Sequence, residues 1–202
     1  MSRTAGLLLA AGQGRRAGGP KALRADADGT SWAVRAVRAL REGGCTDVHV
    51  VVGAAGQDVR EALADENVRV VEATDWARGM GASLNAGLAA LADRPVDVAC
   101  VHLVDLPDVG ADVVRRLLDS DGGADTLVRA AYGHRPGHPV LIGRAHWPAV
   151  AATAHDDTGA RDYLAQRAVR FVDCSDLAGG ADVDGPAGLP SASPATTEVP
   201  GA

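Results

Sequence analysis

Short apolar runs separated by amphipathic stretches constrain the fold of this chain more than any other feature. Ala5 to Ala10, Val48 to Val52, Val68 to Val71 and Val98 to Val104 read as strands buried on both faces. Between them, Ser31 to Glu42 repeats Trp32, Val34, Val37 and Leu40 near helical spacing, and Gly43-Gly44 supplies a stop. Ala82 to Leu91 and Ala111 to Leu118 read as further helices. Strand and helix alternating in this order predict an α/β chain: a three-layer α/β/α, Rossmann-like arrangement with a mostly parallel sheet and right-handed crossovers. Past Ala124 the rhythm loosens, with strands expected at Thr126 to Tyr132, Val140 to Ile142 and Val169 to Asp173, and helices at Arg144 to Val150 and Ala160 to Gln166. An antiparallel strand is expected to enter in this second half.

At 202 residues the chain suits one domain, expected over residues 1–189. The final stretch from Pro190, PSASPATTEVPGA, has almost nothing to bury and is expected to be a disordered tail over 190–202. Aromatic residues are only 3% of a chain that is 47% hydrophobic, so the core must be built from small aliphatic side chains. The net charge of −6 argues against nucleic acid or an anionic membrane as partner, because both need a basic patch. An anionic ligand would have to be met by local cations. Cysteines 45, 100 and 174 form no C-x-x-C pair, which points to a reducing, cytoplasmic setting. The apolar run at Ala5 precedes Arg15 and Arg16 rather than following them, so it reads as a buried strand and not a signal segment.

LAAGQGRRAGGPK, from Leu9 to Lys21, follows the first strand directly, where open α/β sheets place their ligands. Gly12, Gly14 and Ala17 satisfy the dinucleotide pattern G-x-G-x-x-A. The context does not fit it: Gly18, Gly19 and Pro20 interrupt any following helix, and the second strand runs into Gly53 rather than an acid. A Walker loop fails too, since Pro20 displaces Lys21 and no Ser or Thr follows the lysine. What remains is a glycine-rich loop with two arginines and a lysine, suited to backbone N–H groups approaching phosphates while cations neutralise them. A plain turn carrying solvated basic residues would have the same composition.

Further along, VDLP puts Asp105 just past the fourth strand, either as a turn former or as a carboxylate for a phosphate-bound metal. In GMGASL, Gly79 and Gly81 allow close backbone approach, and Ser83 can cap or bond at a helix start. His138 in RPGHPVL and Arg161 in DTGARDYL can each serve an acidic ligand or simply sit in a surface loop. His49 and His102 lie inside strands and read as packed core histidines.

Taken in order, LAAGQGRRAGGPK, GMGASL, VDLP, RPGHPVL, DTGARDYL and DVDGPAGL (Asp182 to Leu189) resemble the MobA/MocA-like nucleotidyltransferases, over roughly Thr4 to Leu189. The resemblance implies a nucleotidyltransferase version of the α/β/α fold. It further implies a magnesium-dependent transfer of CMP from CTP to the phosphate of molybdopterin, with pyrophosphate released. Leu9, Ala10, Ala11, Gly12, Gly14, Arg15, Lys21, Gly79, Gly81 and Ser83 would then hold the nucleotide, with Lys21 and Arg15 on its phosphates. Asp105 and Asp184 would hold Mg²⁺, and His138 and Arg161 the acceptor, which would be passed on to a molybdoenzyme. The closing segment departs from the family's D-[VI]-[DN]-T-P-x-D-L at Gly185 and Gly188. LAAG with Ala11 resembles the CTP-using branch, but it also occurs in sugar-phosphate and methylerythritol-phosphate nucleotidyltransferases. GTP, those other acceptors, and nucleotide binding without catalysis therefore stay open as alternatives.

Overall fold

A computed structural model describes residues 2–183 of the chain. Seven strands form one sheet in the order β3-β2-β1-β4-β6-β5-β7. β1 (Thr4–Leu9), β2 (Asp47–Val52), β3 (Arg69–Glu72) and β4 (Val98–Leu103) run parallel to one another. The expected antiparallel strand is β6 (Arg135–Gly143), which runs against both β4 and β5 (Leu127–Tyr132). β7 (Arg170–Asp173) closes the far edge parallel to β5. Asp184 and the tail expected at 190–202 lie outside the described residues.

Alternation along β1 divides the core in two. Leu8 faces α1 (Trp32–Glu42) and α4 (Ala111–Leu118) through Val37, Leu40 and Val114, while Leu7 faces α3 (Met80–Leu91) through Leu84, Leu88 and Leu91. α5 (Trp147–Thr153) and α6 (Arg161–Ala165) complete the second layer. The fold is thus the mixed, mostly parallel sheet between helices that the alternating pattern predicts.

The first helix shows why the local sequence folds as it does. Ser31 is its cap rather than its first residue, and its Oγ accepts the Val34 N–H at 3.2 Å. At the other end Gly44 takes φ 115°, the Cys45 N–H reaches the Leu40 carbonyl and the Gly44 N–H reaches that of Arg41. Together these bonds make a Schellman stop. A Cβ on Gly43 would lie 2.4 Å from Val114 Cβ, so the same glycine pair lets α4 close on α1.

Three expectations change. Val68 to Val71 does not form a strand buried on both faces: β3 is the edge of the sheet, its Arg69 and Glu72 exposed. β7, the other edge, is equally open. A helix over Gly56–Ala62, α2, was not legible, because it buries only Val59 within its length. RPGHPVL is not a loop motif but the body of β6.

His49 and His102 are core histidines, at 2% and 0% exposure. His49 bonds Asp47 at 3.1 Å, whereas among the described residues neither ring nitrogen of His102 has a hydrogen-bond partner. Burial holds the His102 imidazole near 4, below its ordinary 6.5. Because the folded value is depressed, its contribution to stability is complete above 6.5 and is lost as pH falls toward 4. Between about pH 7 and about pH 5 the loss is about 2 kcal/mol. His102→Leu should therefore lose markedly less urea resistance than the natural chain over that interval; parallel losses would remove His102 as the cause.

Candidate active site

β1 and β4 are neighbours in parallel register, with Leu9 opposite Leu103, so the loops that leave their carboxyl ends emerge side by side. That is the edge at which open α/β sheets bind ligands. The first loop curls around one carbonyl: the N–H groups of Ala17 and Gly19 both reach the Gly14 oxygen, at 2.9 and 3.1 Å. Gly14 has φ 62°, and a Cβ there would fall 1.8 Å from the Gly19 oxygen, so only glycine closes this turn. Arg24, stacked on Trp32, bonds the Ala17 carbonyl and ties the loop to α1. The curl delivers Lys21 back over the sheet edge, where its Nζ meets Asp105 Oδ2 at 2.9 Å. Both side chains are largely withdrawn from solvent, at 16% and 21% exposure.

Two adjoining clefts open on this pair. The first, about 500 Å³, is lined by Ala11, Gly12, Gly14, Arg15 and Lys21 from the loop and by Trp76, Gly79 and Ser83 on the opposite wall. Its size lies in the range of pockets that hold small ligands and cofactors. The second, about 350 Å³, is lined by Arg129, Arg135, His138 and Arg161. Leu9, Met80, Leu103, Asp105 and Asp157 belong to both, so the Asp105 carboxylate stands where the two meet.

Most residues singled out in the sequence gather here, with differences. Ala10 turns its side chain into the core beneath the loop, and its N–H is spent on the Val51 carbonyl at 2.8 Å. Arg15 is exposed at the mouth of the first cleft with Nε on Gln13 Oε1. Counted from Leu9, the arginine of the family signature L-A-A-G-x-G-x-R falls on Arg16, the next residue. Ser83 is not a cap: α3 begins at Met80, and Ser83 lies buried within its first turns, facing the first cleft.

The GMG glycines serve packing as well as access. A Cβ on Gly79 or Gly81 would lie 2.5 to 2.7 Å from the backbone at Asp156 and His155. Their bareness is what seats the DTGARDYL segment against α3 and joins the two clefts. A longer-range fit comes from Gly87, whose missing Cβ leaves room for Leu7 and brings α3 down on the sheet.

In the second cleft, burial and the nearby charges of Arg129 and His102 push the His138 imidazole down to about 3. It is neutral at ordinary pH, able to donate or accept one hydrogen bond but not to add charge. Its carbonyl takes the Tyr132 hydroxyl at 2.7 Å. Arg161 is exposed at the start of α6 and lines the same cleft. Trp76, Asp157 and Arg129 had not been singled out. Trp76 packs where a Gly53 Cβ would lie 2.6 Å from its Cγ, which gives Gly53 a steric reason. The signal for Arg129 was available: it is the one charged residue in the otherwise apolar run LVRAAY.

Among the described residues no group of three or more His, Cys, Asp or Glu side chains forms a metal cage. Magnesium does not require one, since it is commonly held by one or two carboxylates together with substrate phosphates and water. Asp105, partly open at the junction of the clefts, fits that role. The described chain ends beside it: the Val183 N–H bonds the Asp105 carbonyl at 3.1 Å, one residue before Asp184.

Comparison with known proteins places this geometry. Residues 6–171 match the family model described as MobA-like NTP transferase domain. The chain is 40% identical over 189 residues to the nicotine blue oxidoreductase of Paenarthrobacter nicotinovorans, covering 89% of this chain and 91% of that protein. The crystal structure of Rv0371c from Mycobacterium tuberculosis superposes with a TM-score of 0.77 at 28% identity, over 91% of this chain and 93% of the other. Its complex with manganese gives 0.71 at 26% identity, over 85% and 88%. With residues 6–171 matched by its model, the chain belongs to the family of MobA-like NTP transferase domains and is an enzyme of the nucleotidyltransferase class.

Proposed function

We propose that the chain transfers CMP from CTP to the phosphate of molybdopterin and releases pyrophosphate. The observation that carries the reading is the Lys21–Asp105 pair, whose carboxylate lies where two clefts meet, one with a glycine-rich phosphate loop and one whose lining includes Arg129, Arg135 and Arg161. CTP would occupy the first cleft, its triphosphate along Gly12 to Lys21 and its base near Ala11 and Trp76. Ala11, together with RPGHPVL and DTGARDYL, supports the cytidylyl branch. The acceptor would enter the second cleft toward His138 and Arg161.

An oxygen of the acceptor phosphate forms the new bond to the α-phosphorus as the bond to the bridging oxygen breaks and pyrophosphate departs. A phosphate monoester has a second pKa of about 6, so its oxygen is already ionised and the chain need not supply a base. The work left to the protein is alignment and charge. The curled loop presents N–H groups to the phosphates, Lys21 supplies a fixed cation for the leaving group, and α3 and the 155–157 segment keep the two clefts adjacent. Magnesium, bound by Asp105 and by Asp184 as second carboxylate, would add Lewis-acid polarisation and neutralise the triphosphate. Delivery of the product to a molybdoenzyme in the cytoplasm belongs to the same proposal; among the described residues no helix is long and apolar enough to cross a membrane.

A second reading follows from the 40% identity to a protein named nicotine blue oxidoreductase. In it the first cleft takes a reduced pyridine dinucleotide and the second an aromatic oxidant. The loop argues against it, since Arg15–Ala17 is a single 3-10 turn and no α-helix opens behind Gly14 as the dinucleotide pattern requires.

Each NTP is mixed with magnesium and molybdopterin, with or without molybdenum, and pyrophosphate is measured; consumption of NADH and NADPH with nicotine blue is followed in parallel. CTP-dependent pyrophosphate is expected, whereas dinucleotide oxidation without it gives the second reading. Asp105→Asn should abolish pyrophosphate release while leaving the thermal unfolding transition in place, and undiminished turnover would remove Asp105 from the metal site. Lys21→Ala should weaken CTP binding by about 10-fold or more in a calorimetric titration. An unchanged affinity would make the loop a structural turn only.

A further inference from the structure

The turn that carries Asp105 carries a second carboxylate. In VDLPD, Leu106 and Val109 are buried in the core, and the Val109 N–H closes the turn on the Leu106 carbonyl at 3.1 Å. Pro107 restricts the backbone between them. Asp108 is thereby held at the surface, exposed and three residues past Asp105. Its Oδ2 accepts two successive backbone N–H groups, those of Gly179 and Gly180, at 2.8 and 3.0 Å. Consecutive amides converging on one anionic oxygen form an anion nest, here filled by the chain's own carboxylate.

Past Leu177 the segment so held has no regular structure. It leaves β7 at Asp173, where Arg116 of α4 donates to the Asp173 carbonyl and to the Asp176 carboxylate, and it crosses back toward the end of β4. On the way the Gly179 carbonyl accepts from Arg135, and the Val183 N–H reaches the Asp105 carbonyl at 3.1 Å. Tyr132 supplies the surface against which it lies. A Cβ on Gly180, where φ is 59°, would fall 2.1 Å from the Tyr132 ring, and one on Gly137 would fall 2.6 Å from the same ring edge. The Tyr132 hydroxyl in turn donates to the His138 carbonyl. Gly137, His138, Gly180 and Asp182, all lining the second cleft, are thus joined through Tyr132 and this returning segment.

Asp108 is not among the residues that line either cleft, so whatever it does for the reaction passes through the segment it holds. We propose that Asp108 is a positioning residue for the acceptor: by clasping the Gly179 and Gly180 amides it fixes residues 179–183 as a wall of the second cleft. The inference rests on the second cleft being the acceptor's. The charge of Asp108 would by itself act in the opposite sense. Removing a negative group from the neighbourhood of Arg129, Arg135 and Arg161 strengthens the attraction for an anionic acceptor, so weaker acceptor binding without Asp108 reports the lost clasp.

Acceptor KM and kcat are measured from pyrophosphate release with molybdopterin, CTP affinity by calorimetry, and exchange of the Gly179 and Gly180 amides by NMR. In Asp108→Ala both amides should exchange about 10-fold faster and the acceptor KM should rise about 10-fold, with kcat and CTP affinity each within about 2-fold of the natural chain. Asp108→Asn keeps an oxygen in place for both N–H groups and should restore most of both losses. Gly180→Ala, which cannot lie against Tyr132, should raise the acceptor KM in the same way although Asp108 is intact. Amide exchange indifferent to Asp108, an unaltered acceptor KM in Asp108→Ala, a CTP affinity that weakens in parallel, or an Asn variant as impaired as the Ala variant overturns the proposal. Failure of the transfer reading has a separate signature: the natural chain releases no pyrophosphate while its two amides still depend on Asp108, and the acceptor role then falls with that reading.

Discussion

The parallel pairing of β1 with β4 is the constraint on which the site depends. Leu9 and Leu103 are partners in that ladder, so whatever follows each strand starts from the same line at the sheet edge. A slip of one residue would reverse the faces of the strand, burying the wrong side of the Gly-rich loop and separating Lys21 from Asp105. The register is held by the two cores together. Leu8 must meet α1 and Leu7 must meet α3, and Gly87 admits only one depth for that helix. Packing beneath the sheet edge thus fixes a contact of 2.9 Å.

How far the sequence revealed this differs with the kind of signal. Strands whose two faces are both covered, such as β1 and β4, wrote themselves as continuous apolar runs. The edge strand β3 has the same valines, and nothing local says that its outer side meets no neighbour. The short α2 has too few buried positions to show a period. In the site, the loop and VDLP stood out through the family resemblance, since glycines and a carboxylate after strands are also ordinary turn formers. Gly79 and Gly81 were harder to read, since the segment they accommodate lies more than seventy residues further along the chain. Trp76 and Arg129 were missed for a related reason: each acquires its meaning only from the wall facing it. Arg129 nevertheless interrupts the apolar run of its strand, and that irregularity was readable.

The acidic balance of the chain throws its local cations into relief. A net charge of −6 is spread over carboxylates, many of them tied to arginines, as the largely covered Glu66 is to Arg38 and Arg41 and the exposed Asp176 to Arg116. Among the described residues, Arg129, Arg135 and Arg161 of the second cleft form no such ion pair, although Asp157 and Asp182 line the same cleft. His138 adds to the contrast, because an imidazole held neutral leaves the guanidinium groups as the source of positive charge there. Hydrogen bonding and charge are thus assigned to different side chains within one wall.

The reversal at β6 separates these duties along the chain. Because β6 runs against β4, its beginning, not its end, lies at the ligand edge, and the Gly133-His134 hairpin that opens it stands at the rim of the second cleft. Lengthening or rebuilding that hairpin would change what the second cleft admits while the first loop and its strand stay as they are. On the proposed assignment of the clefts, the two halves of the reaction can diverge independently: a lineage carrying this scaffold can exchange acceptors by editing one surface turn, with the nucleotide-handling half inherited intact.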